Sequence, residues 1–568
     1  MGAGGSYCGL CSGKSRLLYE LKRRLAFPLA QREGESSTVG IREKANWFHC
    51  PADEARRRAL YPFRYFLRAY FEQDLPKQTL SQKKARFAQR LAALIAGTPD
   101  PGLQFDLKRG ESFLGALIDL HWPDSLYEQV EPQLRHENSL DALKTLFLAE
   151  SQIQPVIIEL EDAHWLDEES TRFLRYLTRP VNGNPLVVIA ACRQPLPDDW
   201  LERQTPSQTI QLSTLTTNQM RQLAEVQLAA PVSFTLAELV TDRANGNPFF
   251  AEQLLRYLQD QNLLAPGESG LVSTVTNGRI PTNIQAVLVA YLDRLLPDIK
   301  DIVQKAAVLG QEFDLPVLAL MCSTTPGVEQ KVQAAVREAI WLSLTATHYL
   351  FRHALMRDAA YEMQLRARLR ELHRLAGQAL EQTFADNLIP YYAELAHHYR
   401  QAEDIEKERH YVFLAGEQAA AQFANTRAEA YFSRALELTP PTDDANRYDL
   451  HLHREAVYNL QGNRDAQRQD LIALEALADK LADRSKRAEA ALRWANYAET
   501  IDDYPTAITK VQQAIKLAEG QALHFEAEGY FLWGVALYKQ SRNEAAHPRL
   551  EQALTLTRKA NLPNTPRR

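Results

Sequence analysis

Three times in the last third of the chain, a small residue is followed at the same offsets by a second small residue, a bulky one and a third small one. The sets are Gly416, Ala428, Phe432, Ala435; Ala495, Ala507, Val511, Ala514; and Gly534, Ala546, Leu550, Ala553, with Ala466 and Ala473 as a weaker copy. These are the small and bulky positions of a helix–turn–helix repeat of roughly 34 residues, and Pro440 falls where such a repeat ends. Small residues there let two helices approach closely, and each hairpin buries its apolar face only by stacking on its neighbours. Ala428, Ala466, Ala507 and Ala546 lie 38, 41 and 39 positions apart, so hairpins with extended helices or loops are expected. An irregular helical bundle is the alternative; the joint recurrence of several offsets favours stacked hairpins over residues 375–568.

A chain of 568 residues is too long for one hydrophobic core, so several domains are expected. Residues 1–215 alternate short apolar runs with amphipathic stretches, the pattern of a parallel α/β sheet. The clearest strands are Val156-Ile157-Ile158 and the run from Leu186 to Ala191. Strand signals then nearly vanish, and helical periodicity continues with breaks at Gly246-Asn247-Pro248, Pro281, Pro297 and Pro440-Pro441. A net charge of −6 without a long basic run argues against nucleic acid as a partner. With no apolar run of about 18 residues and no signal peptide, no membrane association and a cytoplasmic location are expected. Cys8, Cys11, Cys50, Cys192 and Cys322 are odd in number and scattered, unlike a secreted disulfide framework, and the lone C-x-x-C at Cys8 and Cys11 lacks the further ligands of a zinc site.

Gly13-Lys14-Ser15 precedes a stretch in which Leu17, Leu18, Leu21 and Leu25 share a helical face, so the tripeptide stands at a helix start. Backbone N–H groups and the helix dipole favour phosphate there; Lys14 would reach the β and γ phosphates and the Ser15 hydroxyl would ligate magnesium. The full pattern needs Gly at position 8, where this chain has Cys8, with Gly9 one place late. A second segment, residues 155–162, reads as a buried strand ending in Glu161 and Asp162. In a phosphate-loop sheet that tip lies beside the loop, so one carboxylate would hold magnesium, with Glu161 the metal-side candidate, and the other would orient or deprotonate the attacking water. Incidental acids in a surface turn are the bland alternative.

The run Leu160-Glu161-Asp162-Ala163-His164-Trp165-Leu166-Asp167-Glu168-Glu169-Ser170 resembles the Walker B segment of signal-transduction ATPases with numerous domains. These AAA-like modules often stand beside bacterial nucleotide cyclases, kinases or LuxR-type regulators. The strand ending at Arg193 resembles their sensor strand, whose terminal Arg faces the γ phosphate. Gly246-Asn247-Pro248-Phe249-Phe250 resembles the lid motif, with Pro248 near adenine. Residues 306–313 and Phe351-Arg352-His353-Ala354-Leu355 resemble the winged-helix region, where His353 would contact the β phosphate of ADP. Taken singly, Arg193 could be a strand-end charge, Pro248 a helix breaker and His353 a half-buried core residue.

The resemblance implies an α/β P-loop NTPase domain with a parallel sheet at 1–215, a helical lid at 216–280, a winged helix at 281–374 and an all-α tetratricopeptide-like superhelix at 375–568. It implies ATP and Mg2+ as cofactors and a slow ATPase switch. Nucleotide state would then govern partner-protein binding through the repeats, with nucleotide-dependent self-association. The rivals are a catalytically dead scaffold that binds proteins through its repeats, and a fragment of a transcription regulator or cyclase-associated ATPase.

Three departures accompany the resemblance. Three glycines in the first five residues are poor strand material, so the strand that anchors the phosphate loop is expected to be missing, with a longer native form carrying it. Cys8 adds a Cβ where the backbone needs positive φ, which weakens nucleotide binding and supports the dead scaffold. Glu159 places a carboxylate inside an otherwise apolar strand with no partner evident from sequence.

Overall fold

The computed structural model describes residues 3–7, 13–26, 45–52, 59–73, 78–179, 183–193, 196–197, 200–202, 205–274, 284–323, 325–520 and 522–559. The chain forms two compact units, Met1–Glu403 and Asp404–Arg568.

The first unit is built on five parallel strands: β1 (Ala3–Tyr7), β2 (Asn46–Pro51), β3 (Val156–Glu161), β4 (Leu186–Cys192) and β5 (Ser207–Gln211), in the order β2-β3-β4-β1-β5. Alternation along the strands sends Phe48, Cys50, Ile158, Leu160, Val188 and Ala190 to one buried face. The helices Tyr61–Tyr70, Pro132–Ile153 and Glu168–Leu177 cover it with aromatic rings. Phe66 stacks on Phe147 at 5.2 Å and Phe63 meets Phe173 edge-on at 4.7 Å. Burying each such ring contributes about 1.5–3 kcal/mol, which makes this cluster the anchor of the sheet.

The expected gap before the phosphate loop is not found. Ala3–Tyr7 runs as the fourth strand in spatial order, with Gly4 beside Ile189 and Gln208, and Tyr7 beside Cys192 and Gln211. The sequence expectation failed because it rested on side-chain propensity. A strand flanked on both sides satisfies its N–H and C=O groups through the ladders, and those bonds need no side chain. Cys8, Gly9 and Cys11 lie outside the described residues.

Past residue 215, the helices Thr217–Leu228, Phe234–Ala244 and Pro248–Asp260 share a core of Met220, Val240 and Leu254, beside the hairpin β6 (Leu264–Gly267) and β7 (Gly270–Ser273). A second small antiparallel sheet follows, β8 (Glu312–Asp314), β9 (Trp341–Ser343) and β10 (His348–Phe351), in the order β8-β10-β9, with Phe313, Trp341 and Phe351 packed together. Strands of three or four residues are too short to leave a periodic signal, which is why the sequence showed almost none here. The helices Arg366–Thr383 and Tyr392–Gln401 complete the unit.

The second unit holds four helical hairpins: Ile405–Ala421 with Asn425–Leu438, Asp444–Gln461 with Arg464–Leu481, Arg484–Thr500 with Tyr504–Ala518, and Leu523–Lys539 with Asn543–Lys559. Side chains of Asp404, Asp443, Asn463, Asp483 and Asp503 accept from N–H groups of the first turn and cap five of the helices. A Cβ at Gly416 would stand 2.7 Å from Phe432, and one at Gly534 would stand 2.5 Å from Leu550. The repeated small positions are therefore points of helix contact. Helices of 14 to 18 residues account for the long spacing. In the second hairpin, where the sequence copy is weak, the equivalent positions are Arg454 and Asp470, joined by hydrogen bonds of 2.9 and 2.6 Å.

Among the described residues, no helix is long and apolar enough to cross a membrane.

Candidate functional site

The helix Lys14–Ala26 starts immediately after Gly13, whose φ of +98° few side chains tolerate, and Leu17 N donates to Gly13 O at 2.9 Å. Lys14 thus stands on the first turn of the helix that follows β1 in the chain. Its positive charge reaches both His164 and Cys192, at the C-terminal ends of β3 and β4. The Ser15 side chain lies outside the described residues.

Asp162 follows β3 in the left-handed region, φ 48°, which an aspartate tolerates better than most residues. Arg193, one residue past β4, brings Nε to 3.6 Å from Asp162 Oδ1. His164 brings Nδ1 to 3.9 Å from the same oxygen. Burial lowers the His164 pKa; Asp162 opposes the shift, and the charges of Arg193 and Lys14 add to it. The outcome is a neutral imidazole in a half-buried, net positive corner. Lys14, Asp162 and Arg193, singled out in the sequence, are thus brought together. His164 joins them and was missed, although it sits inside the motif that identified its neighbours.

Glu161 belongs to different surroundings. Alternation puts it on the sheet face that carries Glu159, opposite the aromatic core. His49 on β2 lies between the two acids, with Nδ1 3.4 Å from Glu159 and Nε2 4.0 Å from Glu161. Burial alone would lower the His49 pKa, but Glu159, Glu161 and Glu312 outweigh it and raise it. Glu159 also accepts from the Trp47 indole N–H at 2.5 Å. Burial pushes the Glu159 carboxyl up, and His49, Trp47 and Lys22 overcome that and hold it below its ordinary range. The partnerless carboxylate of the sequence therefore has partners, supplied by a strand about 110 residues away in the chain.

The remainder of the motif is a clasp. Asp167 Oδ1 accepts from Ser170 N at 3.0 Å and from Leu60 N at 3.2 Å, while its Oδ2 accepts from Ser170 Oγ at 2.6 Å. One buried side chain thus caps the helix Glu168–Leu177 and ties it to the segment that follows β2.

Pro248 and His353 form a second cluster. Pro248 opens its helix, with Asn247 capping Phe250 N at 3.2 Å. The adjacent Phe249 ring lies 4.1 Å from the His353 ring. His353 is lowered to about 4 by burial first, then by Arg352 and Arg256. With Glu252, Arg256, Tyr291 and Arg352 it lines a cavity of about 30 Å³, room for about one or two waters. Burial raises the Glu252 pKa against the charges of Arg256, Arg352 and Arg16. Arg16 is on the helix that Lys14 opens, so that helix contributes charge to both clusters.

Among the described residues, no group of three or more His, Cys, Asp or Glu side chains could hold a metal ion by itself. Magnesium is commonly held by one or two carboxylates together with phosphate and water, and Glu161, the last residue of β3, is one such carboxylate. The cationic pair Lys14 and Arg193 and the unpartnered buried Nδ1 of His164 fit an anion at the same corner.

No family model matches the chain. An uncharacterized protein of Rhizobium meliloti (strain 1021) is 24% identical over 439 residues, covering 75% of this chain and 39% of that protein. The chain therefore spans about two fifths of the length of the curated relative it matches. Among solved structures, a Signal Transduction ATPase with Numerous Domains with a tetratricopeptide repeat sensor, from Pyrococcus horikoshii, aligns with 99% of this chain and 75% of its own at 12% identity and a TM-score of 0.42. The MamA protein aligns with 35% of this chain and 98% of its own, at 13% identity and a TM-score of 0.26. The APC/C hetero-tetramer Cut9–Hcn1 aligns over 87% of both chains, at 12% identity and a TM-score of 0.23. Such scores mark loose superpositions.

Proposed function

We propose that this chain is an ATP-binding signalling switch, in which nucleotide state governs how the helical hairpins engage a partner protein. The observation that carries the reading is the convergence of Lys14, Asp162, His164 and Arg193 at the ends of β3 and β4 and the start of the helix Lys14–Ala26. Ligands of open parallel sheets bind beyond the carboxyl ends of the strands, and a helix start there favours phosphate.

Lys14 and Arg193 would hold the phosphate tail, and Ser15 with Glu161 would hold Mg2+. Bound Mg-ATP would supply the phosphoanhydride bond to be cleaved and the charge that these residues neutralise. Asp162 would orient the attacking water as its acceptor. Pro248 and His353 would sense the occupied state from the second cluster, because Arg16 places charge from the phosphate-site helix beside Glu252. A ligand with different contacts in two arrangements shifts the balance between them, and that shift would be read out by the hairpins.

Titration with a fluorescent ATP analogue tests the reading. Lys14→Ala removes charge-assisted bonds worth roughly 1.5–3 kcal/mol, so affinity should fall about ten- to a hundredfold. Unchanged affinity removes Lys14 from the site.

One observation favours a second reading, a scaffold that does not hydrolyse ATP. Glu161 lies 4.0 Å from His49, which also faces Glu159. Phosphate release by the parent chain, Glu161→Gln and Asp162→Asn separates the two readings: three identical baselines indicate the scaffold.

A further inference from the structure

The Nδ1 atom of His164 is buried and makes no hydrogen bond. A buried polar nitrogen without a partner costs about 1–3 kcal/mol, and a native fold keeps such a defect where another state repairs it. Asp162 Oδ1 stands 3.9 Å from His164 Nδ1, and Arg193 Nε stands 3.6 Å from that same oxygen. Neither distance is a hydrogen bond. The carboxylate therefore lies between two nitrogens and is hydrogen-bonded by neither. The imidazole has little freedom to turn elsewhere: its side chain is 12% exposed and its ring lies 5.0 Å from Trp165.

An arginine at a strand end is drawn to an arriving anion, because a phosphate offers it charge and two-point bonding that a lone oxygen at 3.6 Å does not. Once Arg193 turns away, Asp162 loses its cation and one donor remains beside it. A rotation of either side chain that closes the gap to hydrogen-bond length satisfies Nδ1–H and fixes the carboxylate together. We infer that His164 is a positioning residue: it takes hold of Asp162 through Nδ1 when an anion draws Arg193 off, and so aims the carboxylate at its water. This exchange rests on the proposed nucleotide site and specifies how that site becomes ordered.

Two variants separate the exchange from a packing role. In His164→Asn the amide sits close to the Nδ1 position, whereas His164→Leu fills the space with no donor. Three quantities are compared in the full chain: melting temperature without nucleotide, affinity for Mg-ATPγS, and kcat with KM for Mg-ATP. His164→Leu should melt at or above the parent without nucleotide, since it removes an unsatisfied buried atom. It should bind Mg-ATPγS more weakly, raise KM for Mg-ATP by about the same factor, and lose roughly ten- to a hundredfold in kcat besides. His164→Asn should recover most of both losses. A lowered melting temperature together with unchanged affinity and kcat assigns His164 to packing and overturns the exchange. Failure of the parent chain to bind Mg-ATPγS overturns the nucleotide site itself, and the exchange with it. Binding without turnover in the parent removes the water that Asp162 is said to aim at and overturns the exchange alone.

Discussion

Arg454 grips Asp470 through two hydrogen bonds, Nε to Oδ2 at 2.9 Å and Nη2 to Oδ1 at 2.6 Å, at the point where the two helices of each of the other hairpins press a small residue against a bulky one. Gly416 with Phe432, Ala495 with Val511 and Gly534 with Leu550 hold the same two places. Asp470 is 1% exposed, and His451 and Arg454 hold its carboxyl below the ordinary range against the opposing effect of burial. Arg454 also donates to Ser433 Oγ at 3.0 Å, which ties the second hairpin to the first. One repeat has exchanged apolar contact for a buried ion pair.

Breaking a buried pair on one side costs at most about 3–5 kcal/mol, and less here because His451 Nδ1 still meets Asp470 Oδ1 at 2.8 Å. Arg454→Ala should therefore lower the melting temperature of the full chain by several degrees. Arg454→Ala with Asp470→Leu restores the small–bulky pair of the other hairpins and should melt at or above the parent. Calorimetry on the three proteins gives the order, and a double variant no more stable than Arg454→Ala defeats the account.

Gly416→Ala and Gly534→Ala should not cost the same. The new Cβ at 416 would press on the ring of Phe432, which is fully buried, so about 1–3 kcal/mol should be lost. At 534 the nearest atoms are Leu550 Cδ2 and Cγ, at 2.5 and 2.6 Å, in a partly exposed side chain that can change rotamer as a whole, so the loss should be smaller. Equal shifts in melting temperature would show that ring rigidity does not govern these contacts.

Asp167→Ala removes a helix cap and leaves the Leu60 N–H without its acceptor. A cap is worth about 1 kcal/mol and an unsatisfied buried N–H about 1–3 kcal/mol, so a loss of roughly 2–4 kcal/mol is expected. Asp167→Asn keeps an acceptor oxygen and should retain most of it. Amide hydrogen exchange over residues 163–177 would locate the effect. Exchange unchanged there in Asp167→Ala would mean the clasp does not hold the loop.

Acid should weaken the first unit through its buried histidines. His353 is held to about 4 and His373 to about 3, both by burial first, against about 6.5 in an unfolded chain. The unfolded chain accepts protons that the folded one refuses, so their contribution is complete above about pH 6.5 and is lost as pH falls toward the folded values. For His353 alone the loss by pH 5 is roughly 2 kcal/mol. The melting temperature of His353→Leu should therefore gain on the parent between pH 7 and pH 5. A difference that does not change with pH rules the effect out.

Sequence alone carried the features that repeat or that act locally. Strands Val156–Glu161 and Leu186–Cys192 were legible because apolar runs of that length betray buried parallel strands. The hairpins were legible because the small residues Ala428, Ala507 and Ala546 recur at fixed offsets. Lys14, Asp162 and Arg193 were singled out from sequence, and the structure brings Arg193 Nε to 3.6 Å from Asp162 with the charge of Lys14 acting on the same corner.

Tertiary structure decided everything that depends on partners far away in the chain. The glycine-rich stretch Ala3–Tyr7 is a strand because β4 and β5 flank it, and no local propensity encodes that. Glu159 is tolerated inside the sheet because β2 delivers Trp47 and His49 beside it. Glu161 and Asp162 are adjacent in sequence yet face different neighbours, since alternation and the turn after β3 send them apart. Arg454 and Asp470 replace the repeat's small–bulky pair because two opposite charges hydrogen-bonded between the helices of one hairpin hold the same two places as a glycine and a phenylalanine, which residue-by-residue matching does not see.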